Sequence, residues 1–153
     1  MSERIQRIDH IGIAVSDLDA AVQLYRTLFG RGPDSLEDVE DQKVRTAFFE
    51  AGESSVELLA PTADDSPIAK FLARRGDGIH HVCFTVPDLE RALTDLRQQG
   101  VRLIDATPRT GTHGKRIAFL HPKSTGGVLI ELSEAPRGSC PPHRSPHDAG
   151  PHT

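Results

Sequence analysis

The chain has no apolar run approaching the length needed to cross a bilayer, and no charged-then-apolar segment opens it as a signal peptide would. Cysteine is nearly absent: Cys83 lies in a strand-like run and Cys140 in a polar stretch, so no disulfide framework is expected. A reduced, cytoplasmic protein without a membrane anchor is the resulting expectation. An excess of positive charge is also missing, because 18 Lys and Arg face 22 Asp and Glu, a net charge of −4. That argues against a nucleic-acid surface, which wants a basic stripe, but leaves room for a local basic pocket serving one phosphorylated ligand. The last stretch, 135–153, lacks apolar periodicity and is dominated by Pro, Gly, Ser and His. It is expected to be a disordered tail, with His143, His147 and His152 incidental.

What is present is a repeat. His10-Ile-Gly-Ile-Ala-Val-Ser-Asp-Leu returns 71 residues later as His81-Val-Cys-Phe-Thr-Val-Pro-Asp-Leu, and Arg45-Thr-Ala-Phe returns as Arg116-Ile-Ala-Phe. Val56-Glu57-Leu58 matches Ile130-Glu131-Leu132 at an offset of 74, so three extra residues enter the second copy, in the His121-Pro-Lys-Ser-Thr-Gly-Gly turn. Each copy reads strand, helix, then three strands. The first gives a strand over Ile8–Val15, a helix over Asp17–Leu28, and strands near Ser35–Val39, Val44–Phe49 and Ser54–Ala60. The second gives a strand over Ile79–Val86, a helix over Asp88–Gln99, and strands near Val101–Ile104, Arg116–Leu120 and Val128–Glu134. A ferredoxin-like sandwich has a similar order but does not need four strands per half. The predicted class is therefore α+β, with one domain over 6–134 built from βαβββ modules 6–60 and 78–134. A linker, 61–77, carries one helical turn at Pro67–Ala73.

Alternation along a strand sorts side chains by face. Ile11, Ile13 and Val15 point toward the helix, while His10, Gly12 and Ala14 point away; Val82, Phe84 and Val86 oppose His81, Cys83 and Thr85 in the same manner. Each histidine is thus followed on its own face by small residues, as in a cup that must admit a ligand. By the same parity His80 points to the opposite face from His81. Glu57 and Glu131 sit mid-strand between apolar neighbours, where a lone buried carboxylate is costly. Two histidines and two carboxylates at repeat-equivalent positions point to one shared divalent cation bound by His10, Glu57, His81 and Glu131. That donor set suits Co²⁺, Ni²⁺, Zn²⁺ or Mn²⁺. Taken one at a time, each would read as a separately satisfied core polar group.

These residues, with Asp9-His-Ile-Gly-Ile-Ala-Val, Ser66-Pro-Ile-Ala-Lys-Phe-Leu, Gly78-Ile-His-His-Val-Cys-Phe and Leu120-His-Pro-Lys-Ser-Thr-Gly-Gly-Val-Leu-Ile-Glu-Leu, closely resemble the methylmalonyl-CoA epimerases of the vicinal-oxygen-chelate superfamily. The likeness runs from about Ile8 to Glu134. It implies a cupped, eight-stranded mixed sheet, a homodimer, an acyl-CoA substrate and a metal at His10, Glu57, His81 and Glu131, with Co²⁺ favoured. Some relatives carry Gln where this chain has Glu57. Some carry a proton-transferring Glu where it has Thr46, which cannot act as a carboxylate base.

The implied reaction interconverts (R)- and (S)-methylmalonyl-CoA through a metal-stabilised enolate. Four protein ligands would leave two octahedral positions for the thioester and carboxylate oxygens. Glu131 is then the expected proton carrier, with Glu57 its symmetry-related counterpart. Lys123 and the Gly111–Lys115 loop, with Gly114 and Lys115, are candidates for holding the substrate's carboxylate or phosphates, although a plain hairpin is the simpler reading of those glycines. His113 and His121 fall in turns, and Cys83 reads as a small cup-lining residue. The rival functions are a glyoxalase I-type lactoylglutathione lyase with an equivalent metal set and a non-catalytic small-molecule binder on the same scaffold. A ring-cleaving dioxygenase fits less well, because its iron usually takes a single carboxylate.

Overall fold

Small and branched residues alternate along the first strand, β1 (Arg7–Ala14), and a single apolar stripe runs along the helix that follows, α1 (Leu18–Phe29). The structure, a computed structural model, describes residues 4–135. Asp17 starts α1 by accepting from the Ala20 amide (3.0 Å), and Gly30 ends it at φ 72°, a left-handed conformation that glycine adopts without penalty. Strands β2 (Ser35–Val39), β3 (Val44–Ala51) and β4 (Ser54–Pro61) complete the first module. The connecting segment holds α2 (Pro67–Arg75), opened by the Ser66 hydroxyl accepting from the Ile68 amide and by proline at the first turn. The second module repeats the order as β5 (Gly78–Val86), α3 (Leu89–Gln98), β6 (Arg109–Thr110), β7 (Arg116–Leu120) and β8 (Ile130–Glu134). Asp88 caps α3 as Asp17 caps α1.

All eight strands form one mixed sheet in the order β2-β3-β4-β1-β5-β8-β7-β6. Within each module the first strand runs parallel to the last, β1 to β4 and β5 to β8, and the modules meet through the antiparallel pair β1–β5. The sheet curls into a cup with helices on its convex side. There α1 packs Ala21, Val22, Tyr25 and Phe29 onto Val15, Phe49 and Leu58. The second module repeats this with α3, whose Leu89 and Leu93 bury against Val86, Ala118 and Leu132. The α2 helix, which has no counterpart, instead closes part of the concave side by setting Ile68 against Ala14, Val44 and Leu59.

Two sequence expectations need correction. Val101–Ile104 does not form a strand: Leu103 makes an isolated bridge to Leu120, and the module's second strand is the short Arg109–Thr110. Leu103 instead anchors the chain on the α3 core, and Ile104 and Asp105 both donate their amides to the Phe119 carbonyl, so a ladder cannot continue there. The linker helix is also longer than one turn and runs on to Arg75. The tail expected over 135–153 lies, Ala135 apart, outside the described residues, as do Cys140, His143, His147 and His152. Among the described residues no helix is long and apolar enough to cross a membrane.

Phe49 is wholly buried and touches the rings of Tyr25 and Phe29, with centroids 5.9 and 5.3 Å away. Phe49→Ala should therefore lower the unfolding free energy by about 3–5 kcal/mol in chemical denaturation. Leu24→Ala, at a position 57% exposed on α1, should change it by no more than about 0.5 kcal/mol. Similar losses for both would contradict this placement of the core.

Candidate metal centre and active site

The central strand pair places both histidines. In the β1–β5 register His10 lies opposite Cys83, and Gly12 lies opposite His81. Each imidazole therefore stands over a small residue of the other module. At Gly12 the space is fully used, since a Cβ there would come within 2.2 Å of the His81 ring. Glu57 is next to Gly12 on β4, and Glu131 is next to Cys83 on β8. The four side chains that the repeat singles out thus meet at the seam, all at least 95% buried.

The register slips twice, between Ile8 and His10 and between Gly12 and Ile13, leaving Asp9 of β1 and His80 of β5 as extra, unpaired residues. Such bulges re-aim side chains. Here they turn two consecutive residues of each strand toward the site, which strict alternation forbids. His10 Nδ1 donates to Asp9 Oδ2 at 2.7 Å, and Asp9 Oδ1 accepts from Lys115 Nζ (3.1 Å) and Thr85 Oγ1 (3.2 Å). His80 Nδ1 lies 3.0 Å from His81 Nδ1. His80 therefore does not point to the opposite face as expected; it borders the site beside His81.

Around the centre, His10 Nε2 stands 3.0 Å from His81 Nε2, 3.0 Å from Glu57 Oε2 and 3.3 Å from Glu131 Oε2, and His81 Nε2 stands 3.0 Å from Glu131 Oε2. His10, His81 and Glu131 are close enough together to hold a metal ion. Phe48 and Phe119, themselves repeat-equivalent, set their ring edges against His10 and His81 and wall the imidazoles from solvent.

Burial alone would raise the Asp9 carboxyl, but the His10 ring and the Lys115 ammonium hold it well below the usual carboxylate range. Burial likewise opposes charge on His10, yet its bonds to Asp9, Cys83 and Glu131 carry the ring far above an ordinary histidine. Glu131 feels the same burial and is nevertheless held down to about 2 by hydrogen bonds from both histidines. Glu57 is pushed up by burial against the pull of His10 and His81. His80 is lowered to about 4 by burial and by its neighbour His81.

A cavity of about 200 Å³ opens onto the cluster, with Glu57, His81 and Glu131 at its polar end and Leu59, Ile117 and Phe119 along its apolar walls. Gln42, Ile104, Arg109 and Thr112 also line it, and none of them carried a signal in the sequence. The Thr46 hydroxyl, fully buried, donates to the Glu37 carbonyl at 3.1 Å. Lys115 and Gly114 belong to a loop that straps the second module onto the first, where the His113 amide donates to the Glu37 carboxylate and its ring packs on Phe48. Lys123 is exposed in the 3-10 turn Pro122–Ser124, whose first carbonyl is preceded by His121 accepting from the Lys123 amide. None of Gly114, Lys115 and Lys123 lines the cavity at His81. Cys83 is fully buried beside His10, and burial raises its thiol, so it is no nucleophile.

The model of the glyoxalase/bleomycin resistance protein/dioxygenase superfamily matches residues 9–119. The uncharacterized protein YqjC of Bacillus subtilis is 46% identical over 134 residues, covering 88% of this chain and 95% of that protein. The mitochondrial methylmalonyl-CoA epimerase of Dictyostelium discoideum is 40% identical over 131 residues, covering 85% of this chain and 79% of the relative. The crystal structure of methylmalonyl-CoA epimerase from Mycobacterium tuberculosis superposes with a TM-score of 0.83 at 43% identity, covering 89% of this chain and 93% of that one. The chain belongs to the glyoxalase/bleomycin resistance protein/dioxygenase superfamily and groups there with the methylmalonyl-CoA epimerases.

Proposed function

We propose that the chain is a metal-dependent isomerase that interconverts (R)- and (S)-methylmalonyl-CoA, with His10, Glu57, His81 and Glu131 holding one divalent cation. The observation that carries this reading is the convergence of those four groups, two from each module, at the end of a cavity in a chain so similar to epimerases.

The donor set fits such an ion. An octahedral ion with bonds of about 2.1 Å needs neighbouring donors about 3.0 Å apart; His10, His81 and Glu131 stand 3.0–3.3 Å from one another, and Glu57, 3.0 Å from His10 but outside that group, would close on the ion by a side-chain adjustment. Asp9 accepts the Nδ1 proton of His10, which leaves the Nε2 lone pair directed at the centre, the tautomer a ligand requires. Imidazole and carboxylate donors together suit a borderline ion, and Co²⁺ is our choice over Zn²⁺, Ni²⁺ or Mn²⁺. When bound, such an ion draws charge from the thioester carbonyl and the substrate carboxylate, acidifying the carbon between them.

The protein's own residues then handle the proton. Glu131 on β8, held as the carboxylate, is the group we assign to take the proton, and Glu57 on β4, which burial favours as the neutral acid, the group that gives its own proton to the other face of the planar intermediate, the two carboxyls re-equilibrating with water between turnovers. The two come from opposite halves of the cup, which is what addressing two faces requires. Thr46, committed to the Glu37 carbonyl, carries no carboxyl for the task. Leu59, Ile117 and Phe119 keep water from the activated carbon. Lys115 serves the site through Asp9. The same reading takes the protein to be cytoplasmic and homodimeric.

In D₂O, methylmalonyl-CoA mixed with enzyme and Co²⁺ should lose its α-proton NMR signal, and a chelator should stop the loss. Glu131→Gln should slow that exchange by about 10²-fold or more while Co²⁺ still binds. Exchange that persists with chelator, or at the wild-type rate in the variant, would falsify the assignment. Turnover of the glutathione–methylglyoxal adduct in place of methylmalonyl-CoA would select the lyase. Asp9→Asn should weaken Co²⁺ binding by about 10–100-fold in calorimetry without lowering thermal stability in proportion; unchanged affinity would remove Asp9 from the ligand-orienting role.

A further inference from the structure

The repeat gives each ligand histidine an equivalent preceding position, Asp9 before His10 and His80 before His81, at the offset of 71 that relates the two modules. The register slips leave both preceding residues unpaired in the β1–β5 ladder and turn their side chains toward the centre. Asp9 reaches the Nδ1 atom of its neighbour at 2.7 Å. His80 reaches the Nδ1 atom of its own neighbour at 3.0 Å, through Nδ1 of its ring. Two ring nitrogens at that distance share one hydrogen: one donates it and the other offers a lone pair.

The direction of that bond decides what His81 can do. If His80 donates, the hydrogen of a neutral His81 sits on Nε2, the atom facing His10 and Glu131, and no lone pair is left there for a cation. If His81 donates, its Nε2 lone pair points into the centre. A metal ion bound at Nε2 permits only the second arrangement, in which His80 accepts at Nδ1 and carries its own hydrogen on Nε2.

The surroundings hold His80 for this part. Its ring stands at 89° to that of His81, with centroids 5.2 Å apart, and Phe71 of α2 packs against it at 82° and 4.9 Å. The linker helix thereby braces the second pair, as Lys115 and Thr85 brace Asp9 in the first. Among the described residues, His80 is the one side chain hydrogen-bonded to His81 Nδ1.

We propose that His80 is a positioning residue of the metal centre: it accepts the Nδ1 hydrogen of His81 and so fixes the tautomer in which His81 binds the ion. The proposal rests on the metal-dependent reading above and gives it a residue outside the four ligands. The two preceding residues differ in strictness. A carboxylate only accepts, so Asp9 presets His10 as a ligand. An imidazole accepts or donates, so His81 becomes a ligand only when His80 turns its lone pair toward it.

Two substitutions separate this role from packing. His80→Asn keeps an acceptor oxygen near the place of Nδ1 and loses the ring that meets Phe71; His80→Phe keeps a ring and loses the acceptor. Co²⁺ affinity in calorimetry should fall about 10–100-fold in His80→Phe and stay within about threefold of wild type in His80→Asn. A side chain that merely fills space would give the reverse order, which overturns the proposal. Thermal unfolding of the metal-free proteins reads the packing cost separately. Wild type supplies an independent readout if a variant fails to fold. In the zinc-loaded, ¹⁵N-histidine-labelled protein, long-range ¹H–¹⁵N correlations should place the His81 hydrogen on Nδ1 and the His80 hydrogen on Nε2. Equal Co²⁺ affinity in wild type and His80→Phe, or a His80 hydrogen on Nδ1 in the zinc-loaded protein, overturns the proposal and leaves the metal centre standing. Wild type that takes up neither Co²⁺ nor Zn²⁺ overturns the metal-dependent reading and this proposal with it.

Discussion

The structure depends on how closely β1 and β5 can approach with an imidazole standing on each. Every other feature of the centre follows from the pairing of His10 with Cys83 and of Gly12 with His81, a small residue beneath each ring. A side chain at Gly12 would occupy the volume of the His81 ring. Because each module supplies one histidine and the floor beneath the other's, neither half could build the centre alone. The flanking parallel strands then bring Glu57 and Glu131 alongside, so that the cost of burying two carboxylates is met by two imidazoles and by whatever cation they share.

Duplication explains the ligands, and departures from duplication explain the direction of the chemistry. Asp9 and His80 occupy equivalent bulges, but one is an anion anchored by Lys115 and the other an imidazole lowered to about 4. The two histidines of the centre are therefore held differently. The loop over 112–115 reaches across to Glu37 and Phe48, whereas its first-module counterpart, 41–44, is tied to the linker, with Lys43 pairing with Asp65. The α2 helix likewise borders one side of the cup only. A near-symmetric centre would treat both ends of a substrate alike; these unsymmetrical surroundings give it a front and a back.

Much of this was legible in the sequence because a repeat states the same information twice. The offset of His10 and His81, with Glu57 and Glu131 mid-strand, sufficed to predict the fold class and to single out His10, His81 and Glu131, which the structure sets within reach of one another, and Glu57, which it sets beside His10. Alternation by two correctly placed Ile13 and Val15 under α1 and Phe84 under α3. It failed at Asp9 and His80, because a bulge is a property of the pairing between strands and leaves no mark in one strand read alone. The short strand Arg109–Thr110 was missed for a related reason: the Val101–Ile104 segment has the apolar content of a strand, but Leu103 uses it to pack on α3. Lys115 looked like a ligand for an anion from outside, and it is one for an anion within, Asp9.

The central claim is that the two halves of the chain meet around one ion. The most direct measurement is a crystal structure of the cobalt-loaded protein with anomalous scattering recorded across the cobalt absorption edge. The account predicts one strong anomalous peak per chain, about 2.1 Å from His10 Nε2, His81 Nε2 and a carboxylate oxygen each of Glu57 and Glu131. Cobalt bound elsewhere, or a centre in which those four side chains keep their places around no metal at saturating cobalt, would contradict it.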